Sequence, residues 1–166
     1  MGYDTRFSGK FDIEPKLTSN HEAYLHKFAN TRRMKRDANL ARQLEDANRA
    51  NVDLPIGKDG EYFVGGIGYM GQGDDKSIVN CNNPPADQPG LWCRWIPNED
   101  GTAIVFDDET EKFYGYIEWI EYLIEHFLKP WGYTLNGKVR WRGEHIDDYG
   151  TIVIEDNNVS VRSVDW

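Results

Sequence analysis

The sequence predicts an α+β fold of the ferredoxin-like, split βαβ kind (β-α-β-β-α-β), with its helices on one face of an antiparallel sheet and a C-terminal β-meander added. Three observations predict it. Phe113, Tyr116, Ile117, Ile120, Leu123, Ile124 and Phe127 recur at helical spacing within the stretch 113–128, the strongest apolar stripe in the chain. The chain on both sides of that stripe is β-patterned, so the helix must bury it against a sheet built from both flanks. The remaining elements, taken in order, complete the pattern.

Residues 5–14 (TRFSGKFDIE) alternate, with Phe7, Gly9, Phe11 and Ile13 on one face and Arg6, Ser8, Lys10, Asp12 and Glu14 on the other. That is a half-buried strand, and Pro15 ends it. Ser19 with Glu22 makes a capping-box signature, and Tyr24, Leu25 and Phe28 supply the stripe of a helix over about 20–31. The Ala-rich stretch 37–51 carries a weak helical face, and 53–90 is a long insertion dense in Gly, Asn, Asp and Pro. Residues 91–97 (LWCRWIP), a turn at Asn98-Glu99-Asp100-Gly101 and residues 102–106 then read as a hairpin. After the central helix, Pro130 and Gly132 stop the chain, and 133–143, 151–155 and 159–164 form the meander. The first and fourth strands echo each other, FSGKF against LNGKV.

The chain has 166 residues, enough for a single domain with its own core. Asp plus Glu number 28 against 19 Lys plus Arg, and the formal charge of -9 excludes a general electrostatic pull toward nucleic acid or anionic lipid. Composition therefore favours a protein or small-molecule partner. No apolar run reaches the length of a signal or membrane segment, so a cytoplasmic protein with Cys81 and Cys93 as thiols is expected.

Candidate chemistry is sparse. Gly66, Gly68 and Gly71 match G-x-G-x-x-G, but no helix start follows, so a flexible Gly-rich loop is expected rather than a dinucleotide site. Arg32, Arg33, Lys35 and Arg36 form the one dense basic cluster in the sequence; they read as a solvated helix end or, more sharply, as an anion clamp. Trp92 and Trp95 alternate on one strand, so one of them faces away from the helices as a stacking platform or a protein anchor, unless the Gly-rich loop covers it. Glu144, His145, Asp147 and Asp148 gather in a turn without metal-ligand spacing. No nucleophile, acid–base pair, metal or cofactor signature occurs, so the reading leans away from an enzyme.

At Gly2-Tyr3-Asp4-Thr5, Thr31-Arg32-Arg33-Met34, Gln88-Pro89-Gly90-Leu91-Trp92-Cys93-x-Trp95 and Glu111-Lys112-Phe113-Tyr114, the chain resembles a family of small uncharacterised bacterial and phage proteins. The Ala-rich stretch after Asp37 is where it departs from that pattern. The resemblance implies a shared fold and no particular reaction, and it directs attention to Arg32, Arg33, Gln88, Trp92, Trp95, Glu111 and Lys112. The expectation is a non-enzymatic binding module, recognising another protein through the Gly-rich loop and the Trp-bearing face, as a phage-type inhibitor or anti-defence protein would. The alternative is nucleotide or RNA binding through the Arg patch and an aromatic platform.

Overall fold

The computed structural model describes residues 2–110 and 112–163. Its strands and α-helices run β1 (Thr5–Glu14), α1 (Ser19–Ala29), β2 (Lys35–Arg36), α2 (Ala38–Ala41), α3 (Ala47–Ala50), β3 (Ile78–Asn80), β4 (Trp95–Pro97), β5 (Ala103–Phe106), α4 (Tyr116–Leu123), β6 (Thr134–Gly143), β7 (Tyr149–Glu155) and β8 (Asn158–Arg162). The fold is α+β. Two compact units are present, one made of Met1–Leu17 with Arg94–Trp166 and the other of Thr18–Cys93. Among the described residues no helix is long and apolar enough to cross a membrane.

The first unit is built on a six-stranded sheet of order β4-β5-β1-β6-β7-β8, with every neighbouring pair antiparallel. Alternation in β1 does what the sequence predicts: Phe11 and Ile13 are buried, and Arg6, Ser8, Lys10, Asp12 and Glu14 are exposed. Opposite β1, strand β6 buries Leu135, Val139 and Trp141 on the same side. The FSGKF and LNGKV echo has a structural meaning. Lys10 pairs with Lys138 in the ladder, and on either side of that pair stands a glycine, Gly9 opposite Val139 and Gly137 opposite Phe11. A Cβ at Gly9 would lie 2.4 Å from the Lys138 carbonyl oxygen, and one at Gly137 2.5 Å from that of Lys10. Both glycines sit at positive φ, so the two segments are related by a local two-fold arrangement that only glycine accommodates.

Helix α4 is shorter than its apolar stripe suggests. Gly115 is left-handed at its N-cap, so Phe113 enters the core ahead of the helix rather than within it. Trp119, Ile120 and Leu123 are buried along α4, and the chain continues as a π-helical turn over Ile124–Leu128. Glu118, Glu121 and Glu125 form its solvated side. The core of this unit is aromatic. Trp95 lies with ring centroids 5.5 Å from both Phe7 and Phe11 and 5.3 Å from Phe113, and its indole N–H donates to the Tyr116 carbonyl at 2.8 Å. The hairpin turn closes as predicted, with the Asn98 side-chain oxygen accepting from the N–H groups of Thr102 and Ala103. Strand β8 ends at Arg162, and Val164 of the predicted last strand lies outside the described residues.

In the second unit α1 starts one residue before the predicted capping box. Thr18, not Ser19, is the N-cap, its hydroxyl accepting from the His21 N–H at 3.3 Å. Tyr24, Leu25 and Phe28 are buried, and the Tyr24 hydroxyl donates to the Tyr62 carbonyl at 2.7 Å. The Ala-rich stretch forms two separate single-turn helices, α2 and α3, beside a small core of Ala41, Ile56 and Phe63. The Gly-rich insertion is folded rather than shapeless. It holds two 3-10 turns and strand β3, which pairs with β2.

Candidate functional site

The sequence reads the cluster Arg32, Arg33, Lys35 and Arg36 as a solvated helix end or an anion clamp, and for Arg33 the structure corrects both. Arg33 is 2% exposed, its guanidinium lying 4.2 Å from the centre of the Phe28 ring. Its Nε donates to the Gln88 side-chain oxygen (3.2 Å), Nη1 to the Phe63 carbonyl (2.9 Å) and Nη2 to the Glu61 carbonyl (2.7 Å). Gln88 is buried beside it and donates to the same Glu61 carbonyl. The two residues come together as predicted, but as a strut that fastens the insertion. Arg36 is similarly internal, donating to Asp75 (2.7 Å) and Ser77 (2.8 Å). Burial pushes the Asp75 carboxyl up, yet hydrogen bonds from Ser77 and Arg36 outweigh it and hold the group below its ordinary value.

The other predicted residues scatter. Arg32 is half-buried and donates to the Cys81 carbonyl at 3.0 Å. Trp92 is half-buried outside any strand, because the predicted strand 91–97 reduces to Trp95–Pro97 and the Leu91 carbonyl accepts the Arg33 N–H at 2.8 Å instead. Trp95 is a core residue of the first unit, which removes it as a stacking platform. Lys112 pairs with Asp4 at 3.6 Å, and Glu111 lies outside the described residues. Gly66, Gly68 and Gly71 shape a loop closed by the Gly73 N–H on the Ile67 carbonyl; a 3-10 turn over Tyr69–Gly71 lies within the glycine run, and no α-helix starts directly after it.

A different constellation emerges on the sheet. The face of β1, β6 and β8 opposite the aromatic core carries Arg6, Lys10, Lys138, Arg140, Arg142 and Arg162, all exposed. The register sets Arg6 directly against Arg142 and Lys10 against Lys138, with Ser8 against Arg140. Further across the sheet Arg140 pairs with Thr151, and Thr151 with Arg162. Like charges directly opposite on adjacent strands are destabilising, on the order of 0.2–1 kcal/mol per pair. The same face carries exposed Asp12, which pairs with Lys10 at 3.6 Å, and Glu14, yet the two like-charge pairs stand directly opposed. Thr151, at the register position between two arginines, holds a buried hydroxyl with no hydrogen-bond partner among the described residues. No sequence motif marks this face, because its members come from strands far apart in the chain; the signal was the outward half of the β1 and β6 alternation.

At the Arg6 end the face opens into two pockets. The ladder from β1 to β6 runs over ten residue pairs, Thr5–Glu14, whereas that to β5 covers only Phe11 and Asp12. Where the β5 ladder stops, a notch of about 430 Å³ is lined by Asp4, Thr5, Arg6, Phe7, Phe106 and Asp108, among others. Arg6 and Asp4 also line a second, polar pocket of about 480 Å³, with Arg142, Glu144, His145 and Ile146. The turn that frames it is tied down. Asp148 accepts from the Tyr3 hydroxyl (2.6 Å) and the Trp141 indole N–H (3.0 Å), and the Gly143 N–H donates to the Asp148 carbonyl (2.7 Å). The Tyr3 bond, then the Trp141 bond, holds the Asp148 carboxyl below its usual range.

A pH prediction follows from that clamp. A depressed carboxylate contributes stability that is present above its unfolded value, near pH 4, and lost as pH falls through the lower folded value. Tyr3→Phe removes the largest cause, so the Asp148 pKa rises, and the wild type's margin over this variant is full near neutral pH and shrinks in acid. Carboxylate titration by NMR reads the shift directly; an unchanged Asp148 pKa in Tyr3→Phe would refute the assignment.

Among the described residues no cluster of His, Cys, Asp or Glu could hold a metal ion. Compared with known proteins, the chain matches no family model, no curated sequence and no solved structure.

Proposed function

We propose that the protein is a non-catalytic cytoplasmic binding module whose open sheet face holds single-stranded nucleic acid. The observation that carries this reading is the two like-charge register positions on an exposed face, Arg6 opposite Arg142 and Lys10 opposite Lys138, whose cost in stability the 3.6 Å ion pair of Lys10 with Asp12 offsets only in part. A bound polyanion turns that cost into binding free energy, because each phosphate neutralises cations and releases counterions. Along β6, Lys138, Arg140 and Arg142 recur every second residue, roughly 6.8 Å apart, a spacing a flexible strand can follow. Reading a duplex groove calls for a protruding helix or ribbon, which this face lacks among the described residues. The Arg patch of the alternative reading is thereby moved from Arg32 and Arg33 to the sheet. Anisotropy titration of a labelled 12-nucleotide strand, with a duplex and poly-glutamate as competitors, tests it: displacement by unlabelled single strand but not by duplex or poly-glutamate is the expected result, and displacement by poly-glutamate as readily as by single strand, or no binding of the labelled strand, would contradict it.

Protein recognition through the Gly-rich loop is supported by a separate observation. Ile67 and Tyr69 are 55% and 84% exposed on a loop whose backbone is fixed, the Arg32 N–H donating to the Met70 carbonyl at 3.1 Å. A rigid exposed Tyr is a typical anchor. On this reading Tyr69→Ala lowers retention of a partner from nuclease-treated lysate by more than about tenfold, with nucleic-acid affinity untouched; undiminished retention would remove the loop from consideration. The strand order β4-β5-β1-β6 also supports assigning the sheet to the ferredoxin-like split βαβ class, with β7 and β8 as the meander.

A further inference from the structure

We infer that the basic face ends in a subsite for the phosphorylated end of a nucleic-acid strand, with the terminal phosphate between Arg6 and Arg142 and the terminal base in the notch against Phe7 and Phe106. The inference rests on the proposed nucleic-acid reading and goes beyond it by giving the ligand an end and a direction.

Three features point the same way. Arg6 lines both pockets, so one side chain is placed to touch a phosphate in the polar pocket and its attached nucleoside in the notch. Two guanidinium groups on directly opposed residues match a phosphomonoester, which carries about -1.5 to -2 at neutral pH, better than the single charge of an internal diester. At the far wall of the pocket the surface changes sign. Glu144 lines that wall, Asp147 follows it exposed in the β6–β7 turn, and Asp148 beside them is held in its charged form. A strand lying along Lys138, Arg140 and Arg142 therefore meets carboxylates where its next phosphate would go, and terminates there.

The notch suits a base on its own terms. Phe7 and Phe106 are half-buried and both line the notch, their ring centroids 4.6 Å apart, with Phe7 held from behind by Trp95, Phe113 and Tyr116. Stacking on such rings is indifferent to base identity, and Asp108 and Thr110 on the same wall supply hydrogen-bonding groups. Asp4 is the one carboxylate common to both pockets, and its ion pair with Lys112 offsets it. His145, its ring 5.4 Å from that of Tyr3, closes the polar pocket from the turn.

The test compares 10-nucleotide single strands bearing a 5′-phosphate, a 3′-phosphate or hydroxyls at both ends, titrated by fluorescence anisotropy against wild type, Arg6→Gln, Arg6→Lys and Lys138→Gln. One phosphorylated end is expected to bind at least tenfold tighter than the hydroxyl strand, and which end it is fixes the strand direction. Arg6→Gln abolishes that difference, Arg6→Lys restores part of it, and Lys138→Gln weakens all three strands alike. The preference grows between pH 5 and 7.5 as the monoester takes up its second charge near pH 6. Equal binding of all three strands to wild type would overturn the subsite and leave the face reading standing. Failure of every strand to bind overturns both. Arg6 is exposed and faces Arg142, so Arg6→Lys is expected to keep the wild-type melting temperature and Arg6→Gln to match or slightly exceed it.

Discussion

Arg33→Met collapses the unit formed by residues 18–93 while leaving the sheet unit folded. Arg33 spends its Nε and both terminal nitrogens on acceptors from three separate places in the insertion, Gln88, Phe63 and Glu61. Methionine fills comparable volume but leaves those acceptors buried, each without its charged donor, and the ring of Phe28 without the cation above it. Breaking a buried, fully hydrogen-bonded charge costs about 3–5 kcal/mol, a large part of the total stability of a small unit. The melting transition of this unit therefore falls by more than about 10 °C. Lysine does not rescue it, since a point ammonium does not reproduce the planar fork that reaches three acceptors. Amide exchange separates the outcomes: accelerated exchange confined to residues 18–93 is expected, and a melting temperature within about 2 °C of wild type would show that the network carries no weight. Any loss of binding in an Arg33 variant thus reports unfolding and not a lost contact.

Lys138→Glu with Arg142→Glu moves stability and binding in opposite directions. In the native ladder these residues face Lys10 and Arg6. Reversal converts two repulsive cross-strand pairs into attractive ones, which gains on the order of 1 kcal/mol in total and raises the melting temperature of the sheet unit. The same change removes two phosphate contacts and adds two repulsions, so single-strand affinity falls by at least about a hundredfold, roughly 2.8 kcal/mol. Residues kept only for solubility would show the gain in stability without the loss of affinity. Lower stability together with unchanged affinity would mean that the face is an ordinary solvated surface.

The sheet side of the fold was readable because its signals are local. The alternation of 5–14, the stripe of α4, the Asn98 turn and the echo around Gly9 and Gly137 each rest on neighbours in sequence, and β1 and β6 formed where the patterning placed them, whereas the strand expected over 91–97 shrank to Trp95–Pro97. The late start of α4 is set by left-handed Gly115, and its π turn buries Phe127 and Leu128, neither of which periodicity reports. In the second unit the Gly, Asn and Pro content of 53–90 suggested a loop, whereas buried side chains distant in sequence, Arg33 and Gln88 above all, give it a fixed path. The site was misplaced for a related reason. A run of Arg and Lys draws the eye, but Arg33 and Arg36 turn inward, while the cations that share a surface are single residues on strands whose adjacency only the register reveals.

The central claim is that the acidic chain presents one cationic sheet face to a nucleic-acid strand, and the salt dependence of single-strand affinity tests it most directly. Five or six phosphate contacts on this face predict that log Kobs falls with log salt at a slope of about -4 for wild type. In Lys138→Glu with Arg142→Glu the slope is expected to shrink to about -2.5 or less. A slope near zero, or one that these substitutions leave unchanged, would contradict the account.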